Sequence, residues 1–174
     1  MKRAAVLAAL AGCASMVQAP AVPTARFPQT WDQGSRRGSA LIAVLDFHNK
    51  LKGADAEGLD AVYFTNAVRA GVKRKAPSMR VMTRENVIVL LESQGKRIED
   101  CEGECEVDTG RRLGADYVVS GELLRIGTSF KLDLRLHETR EGQLLRGAAA
   151  SGHTADELDA SAAEAIGELL APLR

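Results

Sequence analysis

The sequence predicts a single α/β (α+β) domain. Its mixed sheet has about five strands, its C-terminal part is a three-stranded antiparallel unit, and helices pack on it. Three observations carry this. Leu41-Ile42-Ala43-Val44-Leu45-Asp46-Phe47 is a continuous apolar run ahead of a helical pattern, the mark of a strand buried on both faces. Phe130, Leu132, Leu134 and Leu136 alternate with Lys131, Asp133, Arg135 and His137, the mark of a strand with one buried face and one wet face. Thr154-Ala155-Asp156-Glu157 has capping-box form and precedes the helical spacing of Leu158, Ala162, Ala165, Ile166 and Leu169.

The other elements follow in order. A helix is expected over residues 58–75, with Thr65, Asn66, Arg69 and Lys73 on one polar arc and Leu59, Tyr63, Phe64, Ala67, Val68 and Ala70 filling much of the rest. Lys73-Arg74-Lys75 falls in its last turn, where positive charge suits the helix dipole, and Pro77 stops it. The triplet also reads as a phosphate or headgroup patch, the less favoured alternative. Arg80-Val81-Met82 is a short strand. Thr83 caps a second helix bearing Val87, Ile88, Leu90 and Leu91, which Gly95 ends. Gly114 closes a short helix before the strand Tyr117–Leu124. Gly127-Thr128 and Glu141-Gly142 are turn signals, and Leu144–Ala150 is a further strand.

Ahead of the domain lies an address. MKRAAVLAALAGC has a basic start, a short apolar run and small residues before Cys13, which is a secretory signal, too short for a membrane span. Leu10-Ala11-Gly12-Cys13 resembles a bacterial lipobox. That resemblance implies removal of residues 1–12 and lipidation of Cys13 (palmitate among the chains), hence a membrane contact through an N-terminal anchor. An ordinary signal cut after Ala19 is the alternative. No acidic residue directly follows Cys13, which favours the outer membrane, facing the periplasm. Residues 13–39 carry Pro20, Pro23 and Pro28 and no apolar periodicity, so they read as a linker. Phe27 and Trp31 within it suggest docking, on the domain as the favoured reading, with the membrane surface or a partner as alternatives. Residues 40–174 form the folded domain.

Composition excludes several function classes. Of 174 residues 45% are apolar, enough for a core, and 23 basic residues balance 23 acidic ones. Loss of Lys2 and Arg3 with the signal lowers the basic count to 21 and the net charge to −2. A nucleic-acid partner would want a basic stripe, and none is expected. Aromatic residues are only 4%, which poorly supplies stacking platforms.

Cys101 and Cys105 flank an acid-rich stretch with Glu99, Asp100, Glu102, Glu104, Glu106 and Asp108. In an exported protein a local disulfide is the favoured reading. A metal is the lesser alternative, because two cysteines do not complete a zinc site and the carboxylates lack calcium-loop spacing. A redox pair is the third, although such motifs normally have two spacers. No metal or other cofactor is expected. No nucleophile motif is present, and His48, His137 and His153 are scattered; Asp46 with His48 is the one acid–base pair to consider. An enzyme is not expected.

The order strand–helix–strand–helix–short helix–three antiparallel strands–helix, with Leu113-Gly114-Ala115-Asp116-Tyr117-Val118-Val119-Ser120-Gly121 and Glu141-Gly142-Gln143-Leu144-Leu145, resembles a periplasmic domain. It is the one shared by the TolB N-terminal region, the CsgG curli-secretion family and LpoB-type penicillin-binding-protein activators. The cysteine–acid loop is similar to a variant in myxobacterial envelope proteins of this type. The resemblance spans residues 40–173 and implies a lipid-anchored, non-catalytic protein-binding or accessory module of the cell envelope, with unidentified envelope proteins as partners. Its alternative is an oligomeric structural component of an export or assembly apparatus, so a homo-oligomer is also considered. The turns are too short for CsgG-like membrane hairpins. The candidate interaction face is Lys131, Asp133, Arg135 and His137, with plain solubility as the bland account of the same charges. The acidic cysteine loop is the second candidate.

Overall fold

The central strand β1 (Leu41–Val44) is parallel to β3 (Arg80–Val81) on one side and to β4 (Tyr117–Ile126) on the other. A strand flanked this way is covered on both faces, which explains its unbroken apolar run. Ile42 and Val44 point into one core and Ala43 and Leu45 into the other. The computed structural model describes residues 39–96 and 105–173. The signal and linker, with Cys13, Phe27 and Trp31, and the stretch holding Cys101 lie outside the described residues.

The first strand is shorter than its apolar run. It breaks after Leu45, whose N–H still reaches Val119 O at 2.9 Å, and β2 (His48–Asn49) resumes the pairing with β4. Val44 faces Val119 while His48 faces Glu122. One extra residue is therefore accommodated between them, a bulge that re-aims Asp46 and Phe47. The Phe47 ring then lies over Gly121, where an added Cβ would stand 3.0 Å from the ring and 2.9 Å from Asp133 O. Only glycine permits that approach.

The expected helix over 58–75 is two elements: a short α1 (Ala54–Gly58), then α2 (Ala61–Lys75). Asp60 makes the division, its carboxylate accepting from Val62 N at 2.8 Å as an N-cap. The polar arc expected on this helix is corrected at Thr65, which is fully buried. Its hydroxyl donates to Ala61 O at 2.8 Å and accepts from Phe47 N at 3.0 Å, so it satisfies the backbone that the bulge leaves open. Tyr63, expected on the covered side, is 53% exposed. Lys73, Arg74 and Lys75 do occupy the last turn, and Lys73 Nζ reaches Met79 O at 3.4 Å.

Thr83 caps α3 (Arg84–Glu92) through Asn86 N. Helix α4 (Cys105–Arg112) leads through Gly114, at φ 65°, into β4. Gly127 at φ 61° turns β4 into β5 (Ser129–Glu138), and Gly142 at φ 78° lies in the connection to β6 (Leu144–Gly152). Helix α5 (Ala155–Leu169) follows, and a 3-10 turn over Ala171–Leu173 comes last. Thr154 accepts from Glu157 N, while the Glu157 carboxylate accepts from His153 N at 2.7 Å, one residue before the expected box position. A methyl at Gly152 would overlap the backbone of Glu157 and Leu158, so β6 and α5 join without a gap.

The sheet order is β3-β1-β4-β5-β6, with β2 beside β4. The sheet is mixed: parallel at β1 and antiparallel from β4 to β6. Helices α2 and α5 cover one face over a core that includes Phe64, Val68, Leu123, Leu132, Leu134, Leu136, Leu158 and Ile166. On the other face α3 and the segment after α4 cover β1 and the start of β4, with Val87, Leu91, Leu113, Ala115 and Val118 buried together. Among the described residues no helix is long and apolar enough to cross a membrane.

Candidate protein-binding face

Alternation along β4 and β5 sends Ser120, Glu122, Lys131, Asp133, Arg135 and His137 to the face opposite the main core. Register pairs Val118 with His137, Ser120 with Arg135, Glu122 with Asp133 and Leu124 with Lys131. On β6 the same rows continue into Gly147, Ala149 and Ser151. The structure thus brings all four sequence-selected residues onto one sheet face.

That face is not uniformly wet, which corrects the simple expectation. Side-chain exposure falls along β5 from 48% at Asp133 to 28% at Arg135 and 15% at His137. The gradient comes from α4, which lays Glu106 against the inner end. Glu106 is only 3% exposed, and its carboxylate accepts from Ser120 Oγ at 2.5 Å. His137 Nδ1 lies 3.9 Å from the same carboxylate oxygen, beyond hydrogen-bond reach. Arg135 pairs with Glu122 at 2.9 Å and lies 3.7 Å from Asp133.

The electrostatics follow this geometry. Burial pushes His137 below the ordinary imidazole range, Glu106 opposes that, and Arg135 adds to it. His137 is accordingly neutral at pH 7. Burial alone would lower the Arg135 guanidinium, but Glu106, Glu122 and Asp133 outweigh it and hold the value above normal. At the inner end Glu106 holds Ser120 and Arg135 pairs with Glu122, while Arg135 Nε and His137 Nδ1 are buried without a hydrogen-bond partner among the described residues. Asp133, 48% exposed, marks the more open end of the row.

Sequence reasoning misses Glu106, Ser120 and Glu122. The charge pattern places Glu106 in an acidic loop, but it lies in α4 with Thr109 and Gly110 on its buried side. Those neighbours carry no apolar signal of a packed helix. Ser120 sits inside a nearly continuous apolar strand, where parity cannot be read. Cys105 is the first residue of α4; Cys101 and the expected pairing lie outside the described residues.

The Asp46–His48 pair is also placed. The Asp46 carboxylate is gripped by Arg84, with contacts at 2.6 and 2.9 Å, and Arg69 approaches to 3.8 Å while donating to Val44 O at 2.7 Å. That is an anchor tying α2 and α3 to the end of β1. Among the described residues no cluster of His, Cys, Asp and Glu could hold a metal ion.

Compared with known proteins, the chain matches no family model and no curated protein. It is similar to several solved structures. The LpoB C-terminal domain from Salmonella enterica superposes with a TM-score of 0.53 at 12% identity, covering 67% of this chain and 84% of that one. The corresponding Escherichia coli domain gives 0.53 at 16%, covering 66% and 82%. Lipoprotein GNA1162 from Neisseria meningitidis gives 0.53 at 19%, covering 67% and 83%. At these identities the likeness establishes an LpoB-like fold.

Proposed function

We propose that this chain is a lipid-anchored protein-binding module of the cell envelope, without catalytic activity of its own. The observation that carries the reading is the outer sheet face. Its inner end is covered by α4 with Glu106 bonded to Ser120, and its more open end carries Lys131 and Asp133 on a paired strand. A binding site built on strands holds its charges in register better than one built on loops. The LpoB-like fold, and the likeness to a lipoprotein of Neisseria meningitidis, support the envelope assignment.

In this reading residues 1–12 are removed, Cys13 carries the lipid, and residues 13–39 span from the outer membrane to the domain in the periplasm. Cys101 and Cys105 form a local disulfide that fixes the entry to α4. Cross-linking of native envelopes with the full chain, followed by affinity capture, tests the reading. A specific protein is expected, and its yield should drop with Lys131→Glu combined with Asp133→Lys. Recovery of the same proteins with the charge-swapped chain would remove the face from consideration. Mass spectrometry of the mature N-terminus checks the lipid on Cys13.

A further inference from the structure

Among the described residues the last strand of the sheet, β6, has a partner only on its β5 side. In an antiparallel pair, the N–H and C=O of alternate residues point away from the partner strand. Ser151 is one of the outward residues, since its N–H bonds Ser161 Oγ of α5 at 3.1 Å. By alternation Ala149 and Gly147 also turn their backbone groups outward. Both residues are exposed, and among the described residues no backbone group pairs with their outward side. Strand edges are commonly blunted by charge, proline or short length. Strand β6 is nine residues long, and its run Gly147–Gly152 carries no charge and no proline.

The border of this edge has a definite sign. At 100° per residue Glu157, Ser161, Glu164 and Glu168 of α5 fall within one arc of about 60°. Three contacts show where that arc points. Ser161 holds the outward N–H of Ser151, Glu168 pairs with Arg146 at 3.1 Å, and Glu157 accepts from His153 N at the end of the strand. The arc therefore lies along the open edge, with Glu164 in the middle of it. Arg146 is the one basic side chain on β6, and Glu168 already engages it. On the opposite face Gly147, Ala149 and Ser151 offer no bulk against an added strand.

We propose that β6 is a docking edge for an extended, basic segment of a partner protein. The segment adds as a further antiparallel or parallel strand, taking the outward backbone groups of Gly147 and Ala149. Lysine or arginine at alternate positions then projects over α5 toward Glu157, Glu164 and Glu168. A second copy of this chain is the poorer occupant. Edge-to-edge pairing about a two-fold axis would bring the two glutamate rows face to face, and like charges so placed oppose association. This inference deepens the binding-module reading and rests on it.

The test uses the full chain and two labelled octapeptides, one alternating Lys and Val, the other Glu and Val, followed by fluorescence anisotropy at low salt. The lysine peptide should bind, and the glutamate peptide should bind at least about tenfold more weakly. Ala149→Pro removes one outward N–H while leaving the β5 pairing intact, a substitution edge strands tolerate; it should weaken the lysine peptide about tenfold. Glu164→Lys, on an exposed helix position, should do likewise without touching the strand, and it decides the matter should Ala149→Pro perturb folding. Equal binding of both peptides, or lysine-peptide binding unchanged by Glu164→Lys, overturns the proposal. So does a full-chain dimer in sedimentation that Ala149→Pro dissociates, because the occupant is then a second copy. Envelope capture that depends on Lys131 and Asp133 but not on Ala149 or Glu164 would leave the module reading standing and sink the edge alone.

Discussion

Strand β5 is a comparison in itself. Its even-numbered residues and its odd-numbered residues share one backbone but face opposite environments. Leu132, Leu134 and Leu136 are fully buried beneath α2 and α5. Lys131, Asp133, Arg135 and His137 lie on the other side, where only the inner end is covered. On the leucine side closure is non-directional, and any well-fitting apolar set would serve. On the charged side closure depends on particular partners at particular distances. The leucine face therefore accounts for stability, and the charged face is where this chain can differ from others of the same fold.

The widest test of that division is Leu134→Ala. It should cost about 2–5 kcal/mol in urea unfolding, as for a leucine removed from a packed core. A loss well below about 1 kcal/mol would show that the helical layer is loosely packed. Next, Glu106→Ala should cost about 1–3 kcal/mol, because Ser120 Oγ loses its buried acceptor and Arg135 loses the nearby Glu106 charge. Glu106→Gln should cost less and should lower the His137 pKa further in an NMR titration, since the Glu106 charge raises it. An unchanged titration would show that the two side chains are not coupled.

A third test is pH. His137 is depressed in the folded state, so between its folded pKa and the ordinary value near 6.5 the unfolded chain binds more protons. Its contribution to stability is therefore present above about pH 6.5 and lost as pH falls through the folded value. His137→Asn should flatten that part of the profile relative to the parent protein, as read by denaturation midpoints from about pH 4 to about pH 8. Smallest of all, Lys131→Ala should change stability by no more than about 0.5 kcal/mol. A larger change would mean that the outer end is also closed.

Much of this division is legible in the amino-acid sequence. The alternation in β5 assigns Phe130 through His137 to their faces, and the turn glycines Gly127 and Gly142 fall in the two connections of the antiparallel unit. What escapes is tertiary. Thr65 looks solvent-facing on a helical wheel, yet it is buried because the bulge at Asp46–Phe47 needs a hydroxyl there. Gly121 reads as a backbone requirement of its strand, but only the folded chain shows that the requirement is room for Phe47. Glu106 carries charge in a charged stretch, and nothing local says that it turns inward. Each depends on a neighbour far away in the chain. The acid row on α5 is different: its spacing is readable, but its meaning comes only from the edge beside it.

The tight passage at Gly152 gives that edge a mechanical property. With no room for even a methyl group between the end of β6 and the first turn of α5, the strand and its acidic border are locked as one piece. An arriving segment meets a receptor that is already ordered. The entropy of forming the new strand then falls almost wholly on the visitor, so a stiffer visitor of the same composition should hold longer.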